Sequence, residues 1–244
     1  LYSQGFNRVY DTLEPEINFM HAEDVVHKVM EEIDEGETLS SSIFCRKIGR
    51  YLSENVSGPG ILKSAYQKKI PVYIPAFTDS ELALDMATHI LRKNPEALKR
   101  EPDPENLPYF FNPFLDLMSY TKHVCRAKRV GIFTIGGGVP RNWAQQVGPF
   151  VEIANQRLEG MDMPTRKFRY GLRICPEPVH WGGLSGCTYQ EGISWGKFVP
   201  PSQGGKYAEV LCDATIAWPL LIKGLQDRLK KRRKDEAERE ERKF

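Results

Sequence analysis

The chain has 244 residues, 41% of them hydrophobic and 11% aromatic, which is enough for a sizeable core and too apolar for a disordered chain. Nine Lys/Arg against five Asp/Glu in residues 228–244 concentrate the net +2 in the tail and leave 25 against 27 elsewhere. A nearly neutral body excludes a general nucleic-acid binder, and no apolar run reaches the length of a membrane span. The five cysteines are scattered without C-x-x-C spacing, so they read as reduced thiols of a cytoplasmic protein. Neither they nor the five histidines suggest a metal site.

The chain opens at LYSQGF, without methionine or a signal-peptide pattern. Apolar residues at 25, 26, 29, 30 and 33 predict a helix over 22–36, stopped by Gly36. The same spacing predicts helices over 41–55 and 60–69. IPVYIPAF (70–77) is a continuous apolar run and predicts a buried parallel strand. A helix over 80–93 follows, with Asp79 or Ser80 as its cap, and then a proline-rich linker. Further helices are predicted over 113–127 and 140–158, with strands over 129–135, 168–174 and 208–215. A long C-terminal helix then runs into the charged tail, which reads as a solvated helical extension over 231–244. Strands alternating with helices predict an α/β fold, a mostly parallel Rossmann-like sheet flanked by helices, in one domain over 1–230. Ligands of such sheets sit at the carboxyl ends of the strands.

Three stretches carry candidate chemistry. In VGIFTIGGGVPRN a strand runs into three glycines and a helix start, where backbone amides can approach a phosphate. The spacing is not G-x-G-x-x-G, because the third position falls on Arg141, so a plain tight turn stays open. Asp79 and Asp213 end apolar runs, where a carboxylate can accept from ribose hydroxyls or pair with an ammonium; Asp79 can equally cap the next helix, whereas Asp213 is less readily explained as a cap. Asp213, inside EVLCDATIAW, would be costly to bury unpaired. WGGLSGCTYQEGISWGK (181–197) places Lys197 on glycine-rich irregular backbone beside Trp195 and Glu191. Exclusion of water there would lower the lysine's pKa and free a nucleophilic amine, against the alternative of a surface lysine.

PVYIPAFTDSE, IGGGVPRN, GGLSGCTYQEGISWGK and LCDATIAWPLLI, in this order, resemble the deoxyhypusine synthase family over residues 7–229, closest to its bacterial and archaeal deoxyhypusine synthase-like branch, some members of which form homospermidine. The resemblance implies a cytoplasmic, NAD-dependent aminobutyltransferase that is a homotetramer with sites at subunit interfaces. A hydride passes from a polyamine to NAD, the imine loses diaminopropane, and the butylimine moves onto an enzyme lysine. It then passes to an acceptor amine and is reduced. The acceptor is putrescine or a lysine of the hypusine-type translation factor.

By the same resemblance Lys197 carries the imine, Trp195 walls the polyamine channel, and Glu191 and Asp85 hold amines. Asp79, Gly137, Gly138, Ser185 and Asp213 fall on or near NAD-contacting positions. Asn142 and Gln146 replace a family histidine and asparagine, while Trp181 and Leu184 replace two aspartates. Asn142 and Leu184 thus line the substrate site with altered chemistry. Family chains also carry a longer N-terminal part with the first strands and a further NAD segment, so the chain is expected to be N-terminally incomplete. A second reading is a non-catalytic paralogue that binds and activates a partner.

Overall fold

In a computed structural model, residues 2–9, 12–99, 101 and 109–241 are described. The chain divides into two compact units, Leu1–Tyr120 and Thr121–Phe244, each described by itself.

In the first unit, β1 (Phe6–Val9) pairs antiparallel with β2 (Thr12–Pro15), and α1 (Glu16–Glu31) follows directly. Helix α1 starts six residues earlier than its apolar spacing predicts, because its first turns are exposed and carry little of the pattern. The predicted stripe is nevertheless the buried one: Val26, Val29, Met30 and Ile33 join Leu39, Phe44, Ile48, Phe77, Met86 and Tyr109 in one core. Short strands β3 (Thr38–Leu39) and β4 (Phe110–Phe111) pair in parallel. Helices α2 (Ser41–Asn55), α3 (Ile61–Gln67) and α4 (Glu81–Lys93) match the sequence expectation within a residue or two. The second and third touch so closely that a Cβ on Gly49 would lie 2.5 Å from the Leu62 carbonyl oxygen.

Residues 70–77 do not form the predicted strand. Pro71 and Pro75 lack the N–H groups that a ladder needs, and the segment is half-buried irregular chain ending in a 3-10 turn, Phe77–Asp79. The Ile74 N–H instead donates to Ser41 Oγ at 2.8 Å. Phe77 carries the apolar payload, stacked on Phe111 with ring centroids 4.4 Å apart.

The same serine turn is anchored by α5 (Pro113–Arg126). Buried Asp116 accepts from Ser41 N (2.9 Å), Ser41 Oγ (2.7 Å) and Ser42 N (3.1 Å), satisfying the orphan donors that begin α2. Burial alone would raise this carboxyl's pKa, but the hydrogen bonds from Ser42, Ser41 and Ser40 outweigh it and hold the group below its ordinary value.

The second unit is a three-stranded parallel sheet, β5 (Val130–Ile135), β6 (Phe168–Ile174) and β7 (Lys206–Val210), in that order. Together with the flanking helices it makes the protein α/β with parallel strands, as its alternating pattern predicts. The helix predicted over 140–158 is two: α6 (Val139–Gln145) and α7 (Val147–Arg157). Pro149 has no N–H to give the Gln145 carbonyl, so the ladder breaks between them. The last strand ends at Val210, short of the predicted 215, because Asp213 caps α9 (Ala214–Glu241) by accepting from Thr215 N at 2.8 Å and Thr215 Oγ1 at 2.6 Å. Asp213 is exposed, so the burial cost anticipated from its apolar neighbours does not arise.

Replacing Asp116 with alanine should cost about 2–3 kcal/mol, since it strips a buried cap of several charge-assisted hydrogen bonds. A carboxyl with a depressed folded pKa stabilises above its unfolded pKa and loses that contribution as pH falls through the folded one. Urea denaturation should therefore show the gap between wild type and Asp116→Ala closing in acid.

Candidate active site

Residues 181–197 are held by short turns: 3-10 segments Val179–Trp181 and Leu184–Gly186, then α8 (Tyr189–Ser194). Thr188 caps α8, its Oγ1 accepting from Glu191 N at 3.2 Å. The helix ends on Gly196 in the left-handed region, φ +71°. Gly196 N donates to Ile193 O and Lys197 N to Gly192 O, both at 3.0 Å, which is a Schellman cap with glycine at its obligatory position. The turn delivers Lys197 beside β6, where its carbonyl accepts from Phe168 N at 3.0 Å and Phe198 bridges Phe168. Phe198 is buried against Tyr189 and Tyr207 (centroids 5.0 and 5.4 Å), so the backbone around the lysine is locked on both sides.

The half-buried Lys197 side chain donates from Nζ to Asn142 Oδ1 at 2.9 Å. Burial pushes its pKa below the ordinary lysine value, against the pull of Cys187 and Glu191, and Arg141 adds to the lowering. Lys197 lies in a cavity of about 580 Å³ whose lining includes Asn142, Gln146, Leu184, Glu191 and Trp195, with Phe150 and Ile153 on its apolar side. Trp195 is 66% exposed and Leu184 45% exposed, so both offer apolar surface at the rim. The cavity thus combines a desolvated amine, one carboxylate, amide groups and an apolar wall.

A buried pair of arginines holds this wall. Arg141 donates to Ser185 O (3.2 Å) and Cys187 O (2.7 Å); Arg173, from β6, donates to the same carbonyls at 2.5 and 2.9 Å. Arg173 also pairs with Glu209 at 3.2 Å. Burial, followed by repulsion from Arg173, lowers the Arg141 pKa. The Arg141 side chain crosses the glycine turn: a Cβ on Gly137 would lie 2.7 Å from Arg141 Cδ and 3.0 Å from Thr134 Cγ2, and its φ is +128°. Gly136 and Gly138 face open space. Sequence reasoning saw Arg141 only as the residue that breaks a glycine motif. Its position one residue before Asn142 was the available signal.

The carboxyl ends of the three strands come into line. Gly136 N donates to Ile174 O (2.8 Å) and Cys175 N to Val210 O (3.0 Å), so the turns bearing Gly137, Gly138 and Asp213 lie along one sheet edge. Ser185 Oγ donates to Glu177. Of the residues singled out from sequence, Lys197, Asn142, Leu184, Glu191 and Trp195 are brought into one cavity. Asp79 and Asp85 belong to the first unit. Asp79 is exposed at the end of its 3-10 turn, while Asp85, on α4, is buried. The Asp85 carboxyl is pushed up to about 6 by burial and then by Glu81 and Glu23.

A parallel α/β unit with a desolvated lysine on a capped turn defines the class to which comparison with known proteins gives a name. The deoxyhypusine synthase family model matches residues 1–225, and the chain belongs to that family. It is 32% identical over 229 residues to "Probable deoxyhypusine synthase 2" of Methanosarcina acetivorans, covering 93% of this chain and 59% of that protein. It is 29% identical over 216 residues to "Deoxyhypusine synthase-like protein" of Elusimicrobium minutum, covering 88% of this chain and 52% of that one. A crystal structure from Entamoeba histolytica, described as that of a "putative deoxyhypusine synthase", aligns with 85% of this chain and 54% of its own at 13% identity and a TM-score of 0.46. The chain thus spans just over half the length of these proteins.

Gly137→Ala and Arg141→Ala should each destabilise the protein by about 1–3 kcal/mol, the first through strain and overpacking, the second through buried carbonyls left short of donors. Because they share one contact, the double variant should lose measurably less than the sum in thermal denaturation.

Proposed function

We propose that the protein transfers a 4-aminobutyl group from a polyamine through an imine on Lys197 to an acceptor amine, using NAD. The observation that carries this reading is the half-buried Lys197 amine, held by Asn142 in a cavity that also presents Glu191 and Trp195, where burial lowers its pKa. Carbon–nitrogen bond formation at Lys197 needs the neutral amine, and burial supplies more of it at neutral pH. The Asn142 amide oxygen accepts a hydrogen bond from Lys197 Nζ without adding a negative charge that would hold the proton there. Glu191 offers the carboxylate to bind a substrate ammonium, and Trp195 the face to cover its methylenes.

The open backbone at Gly136 and Gly138 and the exposed carboxylate of Asp213 at the aligned strand ends fit the phosphates and ribose of a dinucleotide. NAD would supply the hydride acceptor and donor. Ser185, at the turn clamped by the two arginines, would support the same edge. By family, the assembly is a homotetramer with shared sites.

A free diamine such as putrescine is the acceptor this cavity favours over a protein lysine. A polyamine presents an ammonium at each end, and burying one without a carboxylate costs several kcal/mol. Glu191 serves one end, while Leu184 offers the other only an apolar contact. Mass spectrometry of products from the protein with NAD, spermidine, putrescine and the hypusine-type translation factor should find homospermidine in excess of any modified translation factor. Efficient modification of that factor with putrescine ignored would contradict the reading.

Three variants test the roles. Lys197→Arg keeps the charge but cannot form the imine, so transfer should vanish while NAD binding persists in titration. A non-catalytic, activating paralogue would show no turnover to lose. Asn142→Asp should favour the charged amine, raise the Lys197 pKa and slow transfer roughly tenfold at neutral pH. Because rate rises as the lysine deprotonates, the limb of its pH–rate profile should move to higher pH. Leu184→Asp should shift preference toward spermidine by about 1–3 kcal/mol, read as a ratio of kcat/KM values.

A further inference from the structure

At the amino ends of the parallel strands, away from the glycine turn, lies a second concave site of about 230 Å³. Lys128 and Arg129 lead into β5, Arg166 and Lys167 lead into β6, and Arg169 is the second residue of β6. Pairing of Val130 with Phe168 brings the two lead-ins side by side, and Arg166 Nε ties them by donating to Ala127 O at 2.8 Å. Among the described residues, five cations line this cavity together with Thr165 and no carboxylate does. Outside the lining, Lys167 meets Glu152 at 3.0 Å.

We propose that this is a binding site for a small phosphoryl anion of the polyphosphate class. Gathering cations in a concavity raises the local potential, which an anion would relieve. The backbone takes one N–H of Arg166 and part of Arg169, which donates to Gln203 O at 3.3 Å. The rest of each guanidinium, the two lysine ammonium groups and the Thr165 hydroxyl can donate to phosphoryl oxygens. The volume falls below the ~300–1,000 Å³ of sites for drug-sized ligands, so a short phosphate chain fits where a dinucleotide does not. Two lead-ins closing one cavity also differ from the extended track of charges that a nucleic-acid strand requires.

The site is joined to Lys197 through the backbone. Phe168, between Lys167 and Arg169, donates its N–H to Lys197 O. The Lys167–Glu152 pair lies against Gly196, whose Cβ position is 3.2 Å from Glu152 Oε2 and 3.8 Å from Lys167 Nζ. An anion that draws Lys167 away from Glu152 would loosen the contact next to the turn that delivers Lys197.

Isothermal titration of the purified protein with inorganic triphosphate at physiological ionic strength should give one saturable site. Lys128→Glu/Arg129→Glu, both exposed positions, should weaken it by about tenfold or more while leaving NAD binding unchanged. If charge reversal impairs folding, Lys128→Gln/Arg129→Gln should show a smaller loss in the same direction. Three results would each overturn the proposal: no saturable binding by the wild type, equal binding by the variants, or preferred binding of a single-stranded oligonucleotide with affinity that grows with its length. Loss of NAD binding in the variants would place the dinucleotide here instead and overturn it as well.

Discussion

The position of Lys197 depends on the turn at Gly196. Gly196 adopts a left-handed φ of +71°, closes the Schellman cap of α8, and sends the next residue back along β6. A side chain at this position would be strained in that conformation and would also meet Glu152 Oε2 at 3.2 Å. With the turn in place, Lys197 has its N–H bound to the helix, its carbonyl bound to Phe168, and its amine directed to Asn142. Positional freedom is removed from the backbone while burial disfavours the charged form of the amine, which is the pre-organisation the proposed covalent step requires.

Around that turn, burial decides the electrostatics. Desolvation is the largest influence on Lys197, Arg141 and Cys187 alike, and it disfavours the charged form of each. The two arginines tolerate proximity because each donates to the carbonyls of Ser185 and Cys187, and Glu209 offsets part of their charge. Their role in the fold is to fasten the loop carrying Leu184 and Ser185 to both α6 and the central strand β6. The glycine turn is shaped by the same constraint, since Arg141 occupies the space that any side chain at Gly137 would need.

Much of this was legible in the residues. Strand β6 and helix α2 lie where the apolar pattern put them, because their periodicity is matched by burial. Lys197, Trp195 and Glu191 shared one short glycine-rich stretch, and the cavity brings them together. Residues 70–77 misled because apolar, β-branched character predicts burial, whereas strand formation also needs N–H groups that two prolines remove. Asp213 misled in the opposite way: apolar neighbours suggested burial, but the helix start exposes it as a cap. The contacts of Asp116 and Arg141 could not be read locally, because their partners lie far along the chain, at residues 41–42 and 185–187; for Arg141 its place beside Asn142 was the one hint.

In the proposed transfer Lys197 is the nucleophile. Borohydride reduction during turnover with NAD and spermidine, followed by peptide mass spectrometry, tests it most directly. A reduced 4-aminobutyl adduct on the peptide carrying Lys197, and its disappearance when NAD is omitted, is the predicted result. Turnover with no adduct at Lys197, or with the adduct on another lysine, would contradict the account.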